Sequence, residues 1–591
     1  MVDLKAIPYN LSDEDAAWVM ETIAGMSDEE KTGQLFFQLC ASQDEAYLKD
    51  LVENYHIGGA RYNGMPSAKV LEQNRILQKY AKIPVFIACN PEMGGSGAAP
   101  DGTTIGAGVQ IGATRNLDYA EIMGRNSAVE AAAMGCNMAF APVADILYNW
   151  ENTEVVKRSF GLYPDVVAQM SDAYVQGAHK VPKFACAAKH FPGNGQDFRD
   201  AHMSNNLNMF GEKEWMESYG LVYKTMIENG LDAIMGGHIM MPTYMKELNP
   251  DIQPEELMPA TLCPEIMTGL LRDKLGFNGM VVTDASHMIG MTDRMKRCDM
   301  LPKAINAGCD MFLFFNDPKE DFETMLNAYK TGIISEERMT EALTRIIGLK
   351  VAMGLTKGPK DEICPAPETL PAKMRQPEFT EAAKQIAADA ITLVKYKDEG
   401  VLPITPEKYP RIMIAYIKGA AGAMDKLAAM AMGGAAARKT PAEKLRDKLI
   451  AKGFDCFIYE SPLDKMMKQI EAGEKPSLNV YFAGKNAIAD FVSGQDLVIT
   501  LFDVNTGRPA FGFSKGGGEI PWYVFELPVV GISVNTPTML ADTPQLRTYI
   551  NAYASNDDTL DALIDKLMTG PDAFKGQDPI DSFCGLIDAR I

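Results

Sequence analysis

The sequence predicts an α/β protein that begins with a closed parallel (β/α)8 barrel of the TIM type. Short apolar runs of β-forming composition alternate with longer stretches of helical composition between residues 34 and 315. Eight parallel strands close a barrel with a filled interior, and an open doubly wound sheet is the alternative. The eight predicted strands are Gln34–Leu39, Ile57–Tyr62, Pro84–Asn90, Met138–Ile146, Lys183–Phe191, Ala233–Met240, Met280–Ser286 and Cys309–Phe315.

Helices are predicted before the first strand and between the later strands. Ser12 and Ser27 each lie three positions before an acidic residue, a pattern typical of capped helix starts. The segments Asp118–Met134 and Pro264–Leu275 have helical composition and lie between predicted strands.

A second α/β domain is predicted after the barrel. We place the barrel at residues 1–355, a proline-rich linker at 356–378, and an α/β sandwich with a mostly parallel sheet at 379–591. Its first helix is predicted at Phe379–Thr392. The triplet Gly516–Gly518 lacks the lysine-hydroxyl ending of a phosphate loop, so we interpret it as a flexible loop. The predicted strands are Ile412–Ile417, Cys456–Tyr459, Val480–Ala483, Leu497–Phe502 and Val529–Val534.

The charge of the chain argues against several classes of partner. Its 591 residues carry a formal net charge of −21, which opposes binding to nucleic acid and to anionic membrane surfaces. No apolar stretch is long enough for a membrane span, and the first residues lack a secretory signal pattern. The 10 cysteines show no metal-type spacing. We therefore expect a cytoplasmic protein with reduced thiols.

Polar residues follow the predicted barrel strands at one end. The active site of such a barrel lies at the carboxyl ends of its strands, so these residues are candidates for the site. They are Asn90, Glu92, Asp145, Lys189, His190, His238, Asp284, Asn316 and Asp317.

The loop from Lys189 to His202 has the highest density of ionisable groups. Asp200 lies two residues before His202, so its carboxylate can accept a hydrogen bond from one imidazole nitrogen. The other nitrogen is then free to transfer a proton, as in hydrolase triads. An exposed Asp–His pair without a function is the alternative, and the neighbouring Lys189 and His190 weigh against it.

Asp284 ends an apolar strand and is the second catalytic candidate. A carboxylate there can act as nucleophile, base or metal ligand, and the alternative is a cap of the following helix. Arg158 is either a solvated cation or a fork that binds oxygen atoms in a polar pocket. A zinc site is a further alternative, using His190, His202, His238 and Asp284. No His-x-His follows an early strand, so we expect neither a metal nor a cofactor.

Several motifs resemble those of family 3 of the glycoside hydrolases, in its β-N-acetylhexosaminidase branch. Lys189–Gly193 followed by Asp200–His202 resembles the Lys-His-Phe-Pro-Gly…Asp-Ser-His signature of that branch. The resemblance extends over nearly the whole chain. The other matching motifs are Met26–Lys31, Gly33–Phe36, Phe140–Asp145, Arg158–Gly161, Gly276–Gly279 with Thr283–Asp284, and Ala390–Lys395 with Leu402–Pro403.

The resemblance implies a retaining β-N-acetylglucosaminidase that acts on small glycosides. Asp284 would be the nucleophile, and His202, held by Asp200, would be the acid/base in place of a carboxylate. Lys189, His190 and Arg158 match residues that hold the sugar in the −1 subsite. The full set of predicted substrate-binding residues is Lys189, His190, Arg158, Asp145, Asn90, Glu92 and His238.

Two positions depart from the pattern of the family. Its third strand usually ends in Asp-x-Glu with an arginine close by, whereas here Asn90 precedes Glu92 and no arginine occurs before Asp101. An asparagine is a weaker partner for sugar hydroxyls than a carboxylate, so the identity of the sugar stays open. Asn194 stands where the branch usually has histidine.

Several alternatives to hydrolysis of N-acetylglucosaminides stay open. A neutral imidazole does not repel phosphate as a second carboxylate would, so phosphate can replace water as the acceptor and give a phosphorylase. A β-glucosidase and an inactive sugar-binding protein are the other two. For the second domain we hypothesise an oligomer contact, of which a homodimer is the simplest case.

Overall fold

The computed structural model describes residues 2–359, 363–419, 439–460, 462–475, 488–505 and 521–591. The predicted strand Val480–Ala483 and the loop Gly516–Gly518 lie outside these residues. The chain forms two compact units, one of residues 1–108 with 116–383 and one of residues 109–115 with 384–591. The predicted domain limits at 355 and 379 stay a prediction.

The first unit contains a closed barrel of eight parallel strands, which confirms the predicted architecture. Each strand pairs with its neighbours in chain order, and the last strand pairs with the first. The strands are β1 Phe36–Leu39, β2 Gly59–Arg61, β3 Phe86–Cys89, β4 Met138–Ala139, β5 Ala185–Phe191, β6 Ala233–Gly236, β7 Met280–Ala285 and β8 Met311–Leu313.

The register of the strands shows which side chains face the barrel interior. The rings of Phe37 in β1 and Phe140 after β4 are 5.4 Å apart, although these strands are not neighbours. Phe37 therefore points inward. Gly59, which pairs with Phe37, and Phe86, which pairs with Gly59, lie on the same inner face of the barrel wall. Side chains alternate along a strand, so Arg61, two residues after Gly59, also faces the interior, at the carboxyl-terminal mouth.

Helices connect the barrel strands, and their starts follow local hydrogen-bonding rules. Ser12 accepts a hydrogen bond from the backbone of Asp15, and Ser27 forms a complete capping box with Glu30, as predicted. The helices that lie within this unit are Asp13–Ala24, Asp28–Gln34, Glu45–Glu53, Ser67–Tyr80, Leu117–Ala133, Pro164–His179, Glu212–Glu217, Tyr219–Glu228, Pro242–Leu248, Glu265–Lys274, Ile289–Thr292, Arg297–Ala307, Pro318–Lys330, Glu336–Ala352 and Leu370–Lys373.

Two of the predicted helices differ in detail from those observed. The segment predicted at Pro264–Leu275 forms a π-helix, Glu265–Lys274, instead of an α-helix. The helix predicted at Phe379–Thr392 is observed as Pro377–Ala390, because Thr392 already begins a strand. In addition, the short segments Asn206–Leu207 and Ile239–Met240 pair outside the barrel.

The second unit contains a six-stranded sheet with the order β9-β14-β13-β12-β10-β11. All neighbouring strands are parallel except β9 and β14, so the sheet is mostly parallel, as predicted. The strands are β9 Thr392–Tyr396, β10 Arg411–Lys418, β11 Asp455–Ile458, β12 Leu497–Asp503, β13 Val529–Ser533 and β14 Thr548–Asn551. The helices with all or most of their residues in this unit are Gly108–Thr114, Pro441–Ala451, Pro462–Glu471, Ile488–Ser493 and Asp557–Thr569, and Pro377–Ala390 enters it.

Both faces of this second sheet are covered. Ile412 and Ile414 of β10 belong to one apolar core, and the intervening Met413 and Ala415 belong to another. Alternate residues of a strand point to opposite faces, so the sheet has a core on each side. This arrangement agrees with the predicted α/β sandwich.

All 10 cysteines lie at described positions and are free thiols, and only Cys298 is exposed. None of the described helices has both the length and the apolar character needed to cross a lipid bilayer.

Candidate active site

Glu92, which follows β3, forms the centre of an ion cluster at the mouth of the barrel. Arg158 donates from Nε and Nη2 to the two oxygens of Glu92, each at 2.8 Å, and Lys189 Nζ lies 2.6 Å from Oε1. Burial opposes ionisation of Glu92, but the two cations outweigh it and hold the pKa of Glu92 well below its usual range. Three predicted binding residues thus come together and fix one another in position.

Asp145, after β4, orients the start of the loop that follows β5. Its fully buried carboxylate accepts hydrogen bonds from His190 Nδ1 at 2.7 Å and from the backbone N–H of His190 at 3.1 Å. The backbone N–H of Asn194 donates to the same carboxylate at 2.7 Å. Because a carboxylate only accepts, Nδ1 of His190 carries the proton and Nε2 faces outward from this pair.

Asp284, in β7, lies across from His190. The carboxylate accepts a hydrogen bond at Oδ1 from the backbone N–H of Ala285 at 2.7 Å, and Oδ2 lies 4.0 Å from His190 Nε2. Burial opposes ionisation, but His190 and the other nearby donors and cations lower the pKa of Asp284 below its usual value. The next helix, Ile289–Thr292, has Met288 at its N-cap, so Asp284 does not cap it. An ionised carboxylate in this position can act as a nucleophile.

Asp200 and His202 form the predicted pair. Asp200 Oδ1 accepts hydrogen bonds from His202 Nδ1 at 2.7 Å and from its backbone N–H at 2.8 Å. The hydrogen bond that His202 donates to Asp200 raises the pKa of His202. Half of the His202 side chain is exposed (50%), so Nε2 is accessible for proton transfer. The backbone N–H groups of Ile289 and Gly290 hold the loop by donating to the carbonyls of His202 and Ala201.

His238 and Asn90 occupy the mouth in different ways. His238 Nε2 donates to the carbonyl of Ala285 at 3.1 Å, and its Nδ1 accepts from the hydroxyl of Thr261 at 2.8 Å. Both ring nitrogens therefore have protein partners, and a contact to substrate would require an exchange of one of them. By contrast, Asn90 Oδ1 is buried and has no hydrogen-bond partner among the described residues.

Asn316 and Asp317 follow β8 but have structural roles. Asp317 caps the helix Pro318–Lys330 by accepting from the backbone N–H of Glu320. The backbone N–H of Asn316 donates to Asp321. Both residues follow a barrel strand, but neither belongs to the ion clusters around Glu92 and Asp145.

Two further side chains complete the site, and their positions in the sequence gave only weak signals. Glu154 lies after β4; its carboxylate accepts from Asn194 Nδ2 at 2.7 Å and lies 3.6 Å from Arg158 Nη1. A carboxylate oxygen of Glu154, a carboxylate oxygen of Asp200 and a ring nitrogen of His202 all lie within 4.8 Å of one another. Burial raises the pKa of Glu154. The second side chain is Arg61, a cation at the end of the short predicted strand Ile57–Tyr62.

Comparisons with known proteins agree with this geometry. The model of the glycosyl hydrolase family 3 N-terminal domain matches residues 27–349. A β-N-acetylglucosaminidase/β-glucosidase of Cellulomonas fimi is 34% identical over 603 residues, which cover 100% of both chains. The β-hexosaminidase A of Pseudoalteromonas piscicida is 29% identical over 382 residues, covering 60% of this chain and 62% of that protein.

Solved structures add to the comparison. A β-glucoside phosphorylase, BglX, superposes with a TM-score of 0.87 at 33% identity and covers 99% of each chain. A family 3 β-N-acetylglucosaminidase from Paenibacillus sp. shares the fold, with a TM-score of 0.74 at 22% identity, covering 94% of this chain and 99% of that one. The chain therefore belongs to glycosyl hydrolase family 3 and is a glycoside hydrolase.

Proposed function

We propose that this enzyme is a retaining β-N-acetylglucosaminidase that removes terminal β-linked N-acetylhexosamine from small glycosides. The observation that carries the proposal is the combination of an ionised Asp284 at the barrel mouth with the Asp200–His202 pair on the adjacent loop. A nucleophile and a proton donor are the two groups that a double displacement requires.

In the first step Asp284 Oδ2 attacks the anomeric carbon while His202 Nε2 donates its proton to the glycosidic oxygen. The bond from the anomeric carbon to that oxygen breaks, the aglycone leaves as an alcohol, and an ester links the sugar to Asp284. Asp200 stabilises the imidazolium form of His202 that this step consumes.

In the second step His202 removes a proton from water, and the resulting oxygen attacks the anomeric carbon. The ester breaks, Asp284 becomes a carboxylate again, and His202 regains its proton. Two inversions at the same carbon leave the product with the β configuration.

Arg158, Lys189 and His190 are proposed to hold the sugar during both steps. They surround the carboxylates Glu92 and Asp145, which fix their orientation before substrate arrives. Such prior positioning reduces the entropy lost on reaching the transition state.

Phosphorolysis is a second candidate, and two observations favour it. The structural neighbour BglX is a β-glucoside phosphorylase and covers nearly the whole chain. The acid/base is an imidazole, which is neutral when the acceptor arrives and does not repel a phosphate anion. In this reaction phosphate attacks the glycosyl ester and the product is a sugar 1-phosphate.

A panel of p-nitrophenyl β-glycosides, assayed with and without phosphate, tests both candidates. We expect release of p-nitrophenol from the N-acetyl-β-glucosaminide. We expect the β-glucoside to be a second substrate, because the name of the Cellulomonas fimi relative gives both activities. Acceleration by phosphate with a sugar 1-phosphate product would assign phosphorolysis. Binding of sugars without turnover of any glycoside would contradict the proposed activity.

A further inference from the structure

Arg61 is an inward-facing cation at the mouth of the barrel, and it has no partner among the described residues. It ends β2, where its Cα pairs with Leu39 on β1 and Ala88 on β3. Its Nε is buried and unbonded, and the guanidinium makes no hydrogen bond or ion pair with any residue that the structure describes. Arginine carries five N–H donors, so leaving them unpaired at a partly buried position costs free energy.

Two acids of the mouth, Glu92 and Asp145, are already engaged by other groups of the protein. Glu92 binds Arg158 through both oxygens and also binds Lys189. Asp145 is satisfied by His190 and the backbone of Asn194. Burial lowers the pKa of Arg61, and the nearby charges of Asp284 and Glu92 oppose this shift, yet Arg61 bonds to neither carboxylate.

An arginine cannot avoid the cost of unpaired, buried N–H donors by losing its proton. Lys350, also buried without an acid, shows the contrast, because burial lowers its pKa to about 7 and it can lose its proton. The guanidinium of an arginine stays charged. No described residue pairs with Arg61, so water or a bound ligand must supply its partner.

Asn90 supplies a complementary unpaired group on the neighbouring strand. It lies two residues beyond Ala88, the residue paired with Arg61, and therefore faces the same side of the barrel wall. Its buried Oδ1 is an acceptor without a donor among the described residues. Arg61 and Asn90 thus present a donor group and an acceptor side by side at the ends of β2 and β3.

We propose that Arg61, together with Asn90, binds the oxygen atoms of the sugar in the −1 subsite and determines which sugar is accepted. The proposal rests on the proposed glycosidase function. Arg61 donates to hydroxyl or acetamido oxygens, and Asn90 Oδ1 accepts from a hydroxyl or amide N–H of the same sugar. A site that hydrogen-bonds a substrate group in this way discriminates strongly against analogues that lack the group.

The test compares wild type with Arg61→Met and Arg61→Lys. Binding of free N-acetylglucosamine and glucose is measured by calorimetry, and kcat/KM is measured on p-nitrophenyl β-glycosides and their monodeoxy analogues. We expect Arg61→Met to weaken sugar binding by about tenfold or more, with partial recovery in Arg61→Lys. Wild type should discriminate against one deoxy analogue, and Arg61→Met should lose that discrimination.

Arg75→Met is the matched control. Arg75 donates to the carbonyl of Pro365 at 2.9 Å, so its loss should lower Tm and leave sugar selectivity unchanged. Removing the unpaired charge of Arg61 should leave Tm unchanged or raise it.

Three results would overturn the proposal for Arg61. They are unchanged sugar binding in Arg61→Met, an equal loss on every analogue, and a fall in Tm like that of Arg75→Met. If wild type turns over no glycoside, the proposed glycosidase function fails, and calorimetry still decides the role of Arg61: weaker binding in Arg61→Met supports it, and no sugar binding by wild type overturns it.

Discussion

The two ends of the barrel each carry a buried cluster of charges, and the clusters differ in how completely they are paired. At the amino-terminal end, the fully buried Asp310 directly precedes β8. Its carboxylate accepts from the backbone N–H of Val281 at 2.9 Å. It also accepts from three arginines: Arg272 at 2.8 Å, Arg338 at 2.8 Å and Arg345 at 3.2 Å.

Within this amino-terminal cluster, each guanidinium has protein partners. Glu341 accepts from Arg338 Nη1 at 3.1 Å and from Arg345 Nη2 at 2.6 Å, and Arg272 also donates to backbone carbonyls. Among the described residues, Nε of Arg345 is left without a partner. Such a cluster joins a helix to the barrel floor and offers little to a ligand.

The mouth has a similar ion cluster around Glu92, but unpaired groups surround it. Asp284 Oδ2, Asn90 Oδ1 and the guanidinium of Arg61 have no hydrogen-bond partner in the described parts of the chain. Incomplete pairing, more than the presence of charge, therefore distinguishes the mouth, where we propose that the sugar binds, from the amino-terminal end. Four substitutions examine this difference, and the removal of the nucleophile should have the largest effect.

Asp284→Asn should lower kcat by on the order of 10³-fold or more, because an amide cannot form the glycosyl ester. Its Tm should change little, since no described residue depends on Asp284 Oδ2 for a hydrogen bond. The measurement is release of p-nitrophenol together with thermal unfolding. Turnover close to wild type would remove Asp284 from the mechanism.

His202→Ala should slow cleavage of alkyl glycosides by about 10²–10⁴-fold, because these leaving groups need a proton from the enzyme. The first step on p-nitrophenyl glycosides should slow much less, because p-nitrophenolate leaves as an anion and needs no proton. Added azide should restore turnover and give a β-glycosyl azide, detected by mass spectrometry. An equal loss on all leaving groups, without azide product, would argue against His202 as the acid/base.

Asp310→Asn should lower the free energy of unfolding by about 3–5 kcal/mol, because three buried arginines lose their common acid. Turnover per folded molecule should stay near wild type. The exposed Asp299→Asn is the control, with an expected change within about 0.5 kcal/mol. Loss of activity in Asp310→Asn without loss of stability would contradict the structural role of the amino-terminal cluster.

Glu154→Gln should have the smallest effect, seen in the pH dependence of kcat/KM. The Asp200 hydrogen bond and the Glu154 charge both raise the pKa of His202, and the first step needs His202 protonated. Without the Glu154 charge this pKa falls, so the basic limb of the profile moves to lower pH. The exposed Glu217→Gln should leave the limb in place, and a shift to higher pH in Glu154→Gln would contradict the assignment.

The barrel and many residues of its mouth could be predicted because local patterns determine them. Buried parallel strands require short apolar runs, and the polar residue that follows such a run, such as Asp284, must lie at the mouth. The pair of Asp200 and His202 could be predicted because two residues of spacing suffice for the hydrogen bond that is observed.

Other features depend on contacts between distant segments. The importance of Arg61 rests on Glu92 being occupied by Arg158 and Lys189, which no local pattern reveals. The edge strand β9 and its antiparallel partner β14 are absent from the predicted strands. β14 has only four residues and no apolar run, and the start of β9 falls at the end of the predicted helix Phe379–Thr392. The π-helix Glu265–Lys274 has the composition of an α-helix, so its hydrogen-bond pattern could not be read from the sequence.

Trapping of the covalent intermediate tests the role of Asp284 most directly. A 2-deoxy-2-fluoro-β-glucosyl fluoride reacts at the nucleophile, and the fluorine then slows release of the sugar by destabilising the cationic transition state. Intact-protein mass spectrometry should show one added fluoroglucosyl group, and peptide mapping should place it on Asp284. Absence of the adduct in wild-type enzyme that turns over the p-nitrophenyl β-glucoside, or its attachment to another residue, would contradict the proposed double displacement.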